Sequence, residues 1–152
     1  MNYNKKFMQI AITLAKKSFK NGDIPVGAVV VQNNKIVGVG YNKKEITKDA
    51  SSHAEINALR CAAKKLNTYH LEDCSLYTTL EPCPMCAGAI INFRIKEVYI
   101  GAKNNRFGCC GSKINLLNMG FNHKSKVHIG IMEEECSKLL TKFFKNLRKK
   151  TF

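Results

Sequence analysis

Two short segments constrain this chain more than anything else in it: His53-Ala54-Glu55 and Pro82-Cys83-Pro84-Met85-Cys86. Together they supply one imidazole, one carboxylate and two thiols, which is a three-ligand metal site plus an acid/base. Catalytic zinc takes three protein ligands and keeps its fourth position open, whereas a structural site needs a fourth side chain. The remaining cysteines, Cys61, Cys74, Cys109, Cys110 and Cys136, form no further Cys-x-x-Cys pair, and the vicinal Cys109-Cys110 is poorly suited to chelating one ion. His53, Cys83 and Cys86 are therefore the expected ligands of one zinc per subunit. Glu55, two residues from a ligand, is the expected carrier of protons.

Each segment also has an ordinary reading. Ser52 followed by Glu55 fits a capping box at a helix N-terminus. Cys83 and Cys86 alone fit a thioredoxin-like redox pair, or half of a structural zinc knuckle. Only the two segments together make a complete catalytic set.

Hydrophobic periodicity supplies the frame around them. Apolar residues at three- and four-residue spacing from Phe7 to Phe19 predict an amphipathic helix ending near Asn21-Gly22. The apolar run 28–31, turn residues Asn33-Asn34 and the stretch 35–41 predict a hairpin. Residues 42–50 read as a polar loop, and Ser52 as the N-cap of the next helix. A third strand over 74–80 runs directly into the cysteine turn, and a small-residue helix over 87–92 follows, with Pro84 tolerated in its first turn. Then come a strand at 97–101, a glycine-containing loop at 103–112, a short helix near 114–118, a strand at 127–131 and a last helix over 132–150. This order predicts an α/β fold in a single domain over 1–152: a mixed five-stranded sheet with helices on both faces. The metal residues fall at helix N-termini, where α/β sheets usually place their chemistry.

Composition bounds the rest. A hydrophobic fraction of 45% in 152 residues excludes a disordered chain. The longest apolar runs are only strand-length, so no membrane span is expected. Seven cysteines, an odd number, in a chain too large to need a disulfide scaffold fit a reducing cytoplasm. The 25 Lys and Arg against 11 Asp and Glu give a formal charge of +14. Such a field attracts polyanions, nucleic acid above all, although lysine-rich composition also accompanies AT-rich genomes. The last helix begins with Glu133, Glu134 and Glu135 and ends in Lys138, Lys142, Lys145, Arg148, Lys149 and Lys150. Complementing the helix dipole accounts for that polarity but not for the surplus of cations.

His-x-Glu followed by Pro-Cys-x-x-Cys is the established signature of the zinc nucleobase deaminases. Pro25-Val26-Gly27-Ala28, Gly40-Tyr41-Asn42, Thr79-Leu80-Glu81-Pro82-Cys83, Met85-Cys86-Ala87-Gly88 and Phe143-Phe144 extend the match. From about residue 7 to 149 the chain resembles the bacterial tRNA adenosine deaminases. The resemblance implies a three-layer α/β/α fold and conversion of adenosine to inosine at the wobble position of a tRNA anticodon stem-loop, an arginine tRNA in particular. It also implies a homodimer whose RNA site spans both subunits. On the same ground Asn42 would hydrogen-bond the flipped base, and backbone groups at Val26 and Ala54 would shape its pocket. Asn104 and Arg106, on the loop after the fourth strand, would overhang the pocket mouth. Asn122 and His123 also match the family, and Lys145, Arg148 and Lys149 would meet RNA. Where the family pattern carries an acidic residue this chain has Asn104, so weaker discrimination of RNA from DNA is expected.

Two alternatives share parts of this pattern. A free-base or nucleotide deaminase acting on cytosine or guanine would use the same zinc site without needing the basic last helix. A nonenzymatic zinc-stabilised RNA-binding module would have no use for Glu55.

Overall fold

Alternation along the strands decides the layers. In the computed structural model, which describes residues 3–151, β1 (Gly27–Gln32), β2 (Lys35–Tyr41), β3 (Cys74–Leu80), β4 (Glu97–Ala102) and β5 (Lys126–Ile129) form one sheet of order β2-β1-β3-β4-β5. Val29, Val31, Tyr77 and Tyr99 point to one face, covered by α1 (Lys5–Lys20) and α5 (Glu133–Thr151). Ala28, Val30, Leu76, Val98 and Ile100 point to the other, covered by α3 (Ala54–Leu66) and α4 (Pro84–Asn92). This is the expected mixed sheet with helices on both faces. Among the described residues no helix is long and apolar enough to cross a membrane.

The sheet's polarity sets where chemistry can gather. β1 runs antiparallel to both β2 and β3, while β3, β4 and β5 are mutually parallel in sequence. The start of β1 and the ends of β2 and β3 therefore lie along one rim, and α3 and α4 begin there. Asn33 and Asn34, both with positive φ (49° and 61°), make the tight hairpin turn at the opposite rim. Two glycines permit the close packing that the site needs. A Cβ on Gly27 would strike the Ala11 carbonyl of α1, and one on Gly40 would strike the Ala54 carbonyl of α3. Gly40 thus holds the end of β2 against the first turn of α3.

The structure corrects several local expectations. The stretch expected as a polar loop contains one helical turn, α2 (Lys44–Thr47), closed by the Thr47 N–H to the Lys43 carbonyl at 3.1 Å. Ser52 is not the N-cap of α3; His53 is, and its own side chain makes no capping hydrogen bond. The Ser52 hydroxyl instead accepts from Asn57 Nδ2 at 3.1 Å and its carbonyl from the Lys43 N–H at 3.0 Å. The capping box does not form, because Glu55 is turned inward and buried. The short helix near 114–118 is a single 3-10 turn, Leu116–Asn118. The last strand ends at Ile129, after which Gly130 and Met132 take positive φ to turn the chain into α5.

Candidate metal centre and base pocket

Strand β3 ends at Leu80, and the chain turns through Glu81-Pro82 into Cys83, the N-cap of α4, with Pro84 at the first helical position. His53 is the N-cap of α3. The two helix starts face each other, so the ligands and the positive ends of two helix dipoles converge. His53 Nδ1 lies 3.5 Å from Cys83 Sγ and 3.5 Å from Cys86 Sγ, and the three donor atoms fall within 4.8 Å of one another. One nitrogen and two sulfurs at mutual contact, without a fourth His, Cys, Asp or Glu in the cluster among the described residues, is the donor set of a three-ligand zinc site. The Cys83 thiol is pulled down to about 4, chiefly by its hydrogen bond with Cys86 and also by His53. Cys86 is pushed up by that same contact, by burial and by the neighbouring Glu55.

Glu55 is 4% exposed, and burial pushes its carboxyl up to about 7. A carboxyl that titrates near neutrality can both take and return a proton at physiological pH. It opens on a pocket of about 510 Å³ with Ile24, Val26, Asn42, His53, Leu80 and Phe107 among its walls. That volume lies within the range of about 300–1,000 Å³ usual for small-molecule sites.

Asn42 is held from three sides. Its Oδ1 accepts from the Ala54 N–H at 2.8 Å, its Nδ2 donates to the Ile24 carbonyl at 3.0 Å, and its own carbonyl accepts from Ser18 Oγ at 2.9 Å. The Ala54 N–H is therefore spent on Asn42, and Ala54 shapes the pocket by position. One amide hydrogen and one lone pair of Asn42 are left for a ligand.

The expected site residues divide into two groups. Val26, Asn42, His53, Glu55, Cys83 and Asn104 line one pocket, with Ala54 and Cys86 buried directly behind it. Asn104 Oδ1 accepts from the Phe107 N–H at 3.1 Å, closing a turn that presents Phe107 to the pocket. Arg106 lies outside the lining, its guanidinium 5.8 Å from the Phe107 ring centroid. Asn122 is exposed, and His123 Nε2 meets the Ile95 carbonyl at 2.7 Å, a bond that ties the loop before β5 to the segment ahead of β4. Lys145, Arg148 and Lys149 are exposed on α5.

Glu81 had not been singled out, yet it organises the mouth. It is 1% exposed. Its Oε1 accepts from the Asn104 N–H at 3.2 Å and from the Ser112 hydroxyl, and its Oε2 from the N–H groups of Cys110 and Ser112 at 3.0 Å each. Burial alone would raise this carboxyl, but these four hydrogen bonds outweigh it and hold it below the ordinary value. An acidic residue wedged between a strand end and Pro82-Cys83 was the available signal. Of the remaining cysteines, Cys74, Cys109, Cys110 and Cys136 are buried and Cys61 is exposed. Burial pushes Cys74 up to about 11 and Cys136 up to about 12, so both stay thiols.

A sheet with helices on both faces and a His/Cys/Cys cluster beside a buried glutamate define a class. Residues 1–102 match the cytidine and deoxycytidylate deaminase zinc-binding region, and the chain belongs to that family. Over nearly its whole length it is similar to tRNA-specific adenosine deaminases. That of Bacillus subtilis (strain 168) is 43% identical over 99% of this chain and 94% of its own. That of Aquifex aeolicus (strain VF5) is 41% identical over 93% and 94%. A structure from a study of A-to-I editing by tRNA:A34 deaminases at the wobble position superposes with a TM-score of 0.87 at 32% identity, covering 90% of this chain and all of that one. A guanine deaminase from Bacillus subtilis, 44% identical, gives a TM-score of 0.63 over 68% of this chain and 66% of its own.

Proposed function

We infer that this chain deaminates adenosine to inosine in tRNA, at the wobble position of an anticodon stem-loop. The observation that carries the reading is similarity to tRNA-specific adenosine deaminases along almost the entire chain, α5 included. His53, Cys83 and Cys86 would hold zinc, which supplies the Lewis acidity that makes water nucleophilic near neutral pH. Glu55 takes a proton from the attacking water and returns protons to the purine ring and the departing amine. The C6–O bond forms, the C6–N6 bond breaks, and ammonia leaves. Asn42 offers its spare amide hydrogen to the base, and Val26, Ile24 and Leu80 supply apolar walls. A base must leave its stack to reach such a pocket, which an anticodon loop permits at low cost.

The basic end of α5 suits the RNA. Phe143 packs on Phe19 at 5.7 Å between ring centroids, and Ser18, next to Phe19, bonds the Asn42 carbonyl. Lys145, Arg148 and Lys149 thus extend from a helix anchored to the pocket's own wall. Arg106, Asn122 and the exposed edge of His123 are further candidates for RNA contact. A homodimer belongs to the same reading, with exposed Met119 and Phe121 as candidates for its interface. The cytoplasm is where such an RNA substrate and reduced thiols occur together.

The test is incubation of the zinc-loaded protein with unmodified tRNA, then sequencing for adenosine read as guanosine at the wobble position. Conversion there, with no ammonia released from guanine or cytosine, supports the reading. Turnover of a free base without tRNA conversion overturns it.

A further inference from the structure

The loop leaving β2 carries two lysines that the deamination chemistry does not use. Lys44 lines the pocket with His53 and Glu55 and is the one lysine or arginine among the lining residues. Lys43 precedes it, its ammonium 4.8 Å from the ring centroid of Tyr41, and Lys17 of α1 approaches the same ring at 5.8 Å. Lys43 and Lys44 are both half-buried.

Neither has a counter-charge. Among the described residues no carboxylate pairs with Lys43 or Lys44. The neighbouring acids are engaged elsewhere: Glu45 faces Lys48 at 3.9 Å, and Asp23 accepts from the backbone N–H groups of Ile24 and Glu45. Two adjacent ammonium groups without an internal carboxylate partner leave this rim open to an anion brought from outside.

The backbone beneath the two lysines is fixed in advance. Asn42 is bonded to Ser18, Ile24 and Ala54, the Lys43 N–H to the Ser52 carbonyl at 3.0 Å, and the Glu45 N–H to Asp23 Oδ2 at 2.9 Å. Donors anchored in this way lose less freedom on binding than lysines on a loose loop. The pocket accounts for its own carboxylates, Glu55 in proton transfer and Glu81 in holding the loop. A nucleotide that inserts its base leaves its phosphates at the mouth, where Lys44 stands.

We propose that Lys43 and Lys44 form a phosphate clamp for the RNA strand whose adenine enters the pocket. Lys44 takes a phosphate at the rim, and Lys43, steadied on Tyr41, takes a neighbouring one. The clamp rests on the RNA reading of the same site.

Four proteins test it: wild type, Lys43→Gln/Lys44→Gln, Lys43→Arg/Lys44→Arg, and a control, Lys35→Gln/Lys65→Gln, at exposed positions away from the mouth. Binding of a fluorescent anticodon stem-loop is measured by anisotropy from about 50 to about 200 mM salt, and inosine formation is followed in parallel. Each phosphate contact on a single strand contributes about 0.7 to the log–log salt slope. The glutamine pair should therefore lower the slope by about 1.4 and weaken binding about tenfold near 0.15 M salt. The arginine pair should restore both, and the control should match wild type. Unchanged binding in the glutamine pair, or an equal loss in the control, overturns the clamp. Wild-type protein that binds the stem-loop but makes no inosine overturns the deaminase reading instead, and leaves the clamp to be judged on binding alone.

Discussion

Glu81 accepts two hydrogen bonds from Ser112, one from its hydroxyl and one from its backbone N–H. With the N–H groups of Asn104 and Cys110 they tie both ends of the loop that closes the pocket mouth to the end of β3. Gly108 permits this, since a Cβ there would collide with the same carboxylate. Glu81→Gln keeps the shape but turns an amide N–H toward backbone donors. It should cost about 1–3 kcal/mol for a buried donor left unpaired, read by urea denaturation. The pH dependence has a definite sign. A carboxyl held below its ordinary value stabilises the fold above about pH 4.5, and that stability is lost as pH falls through the lower folded value. The stability difference between wild type and Glu81→Gln should therefore shrink on acidification below pH 4.5; a difference that grows there would count against this role.

Asn42 joins three segments that are distant in sequence. Asn42→Ala leaves the buried Ala54 N–H without its partner, at about 1–3 kcal/mol, while the Ile24 carbonyl keeps the Val26 N–H at 2.9 Å. Because Ala54 follows His53, the proposed metal ligand, zinc content should fall along with thermal stability. Asn42→Asp keeps the acceptor for Ala54 and should retain more zinc than Asn42→Ala, as measured by metal analysis.

Glu55, buried at the pocket beside the His/Cys/Cys cluster, is proposed to move protons without holding metal. Glu55→Ala should retain zinc and bind the stem-loop normally, while inosine formation falls by about 10²–10⁴ or more. Cys83→Ser or His53→Ala should instead lose the metal. Loss of zinc from Glu55→Ala would make Glu55 a ligand and remove the open coordination position.

Asn104 offers one uncharged acceptor oxygen, and the Phe107 N–H takes one of its two lone pairs. Discrimination by a ribose 2′-hydroxyl contact should be weak here and should strengthen in Asn104→Asp. Matched RNA and DNA hairpins compared by kcat/KM provide the measurement. An unchanged RNA-to-DNA ratio in Asn104→Asp would remove residue 104 from this role.

The strands were legible because their cues are local: the run 28–31, the Asn33-Asn34 turn, and 74–80 leading into the cysteines. The metal cluster was legible for the same reason, each half being a few residues long. Ser52 misled because its capping signal is also local, whereas the bonds that decide the helix start come from Asn42, on another element. Glu81 went unread because its meaning depends on residues 104–112, which only the fold brings to it. The single turn of α2 is too short for periodicity to show. Lys44 lies in the stretch read as a polar loop, and only the fold brings it to the pocket.

The Asn33-Asn34 turn lies at the rim farthest along β1 from Val26, and β1 spans the sheet between them. The base pocket and the His/Cys/Cys cluster are gathered at the other rim, which leaves this tip free for engineering. A fluorophore, affinity handle or fused partner inserted there would report on the enzyme without blocking the mouth of its base pocket.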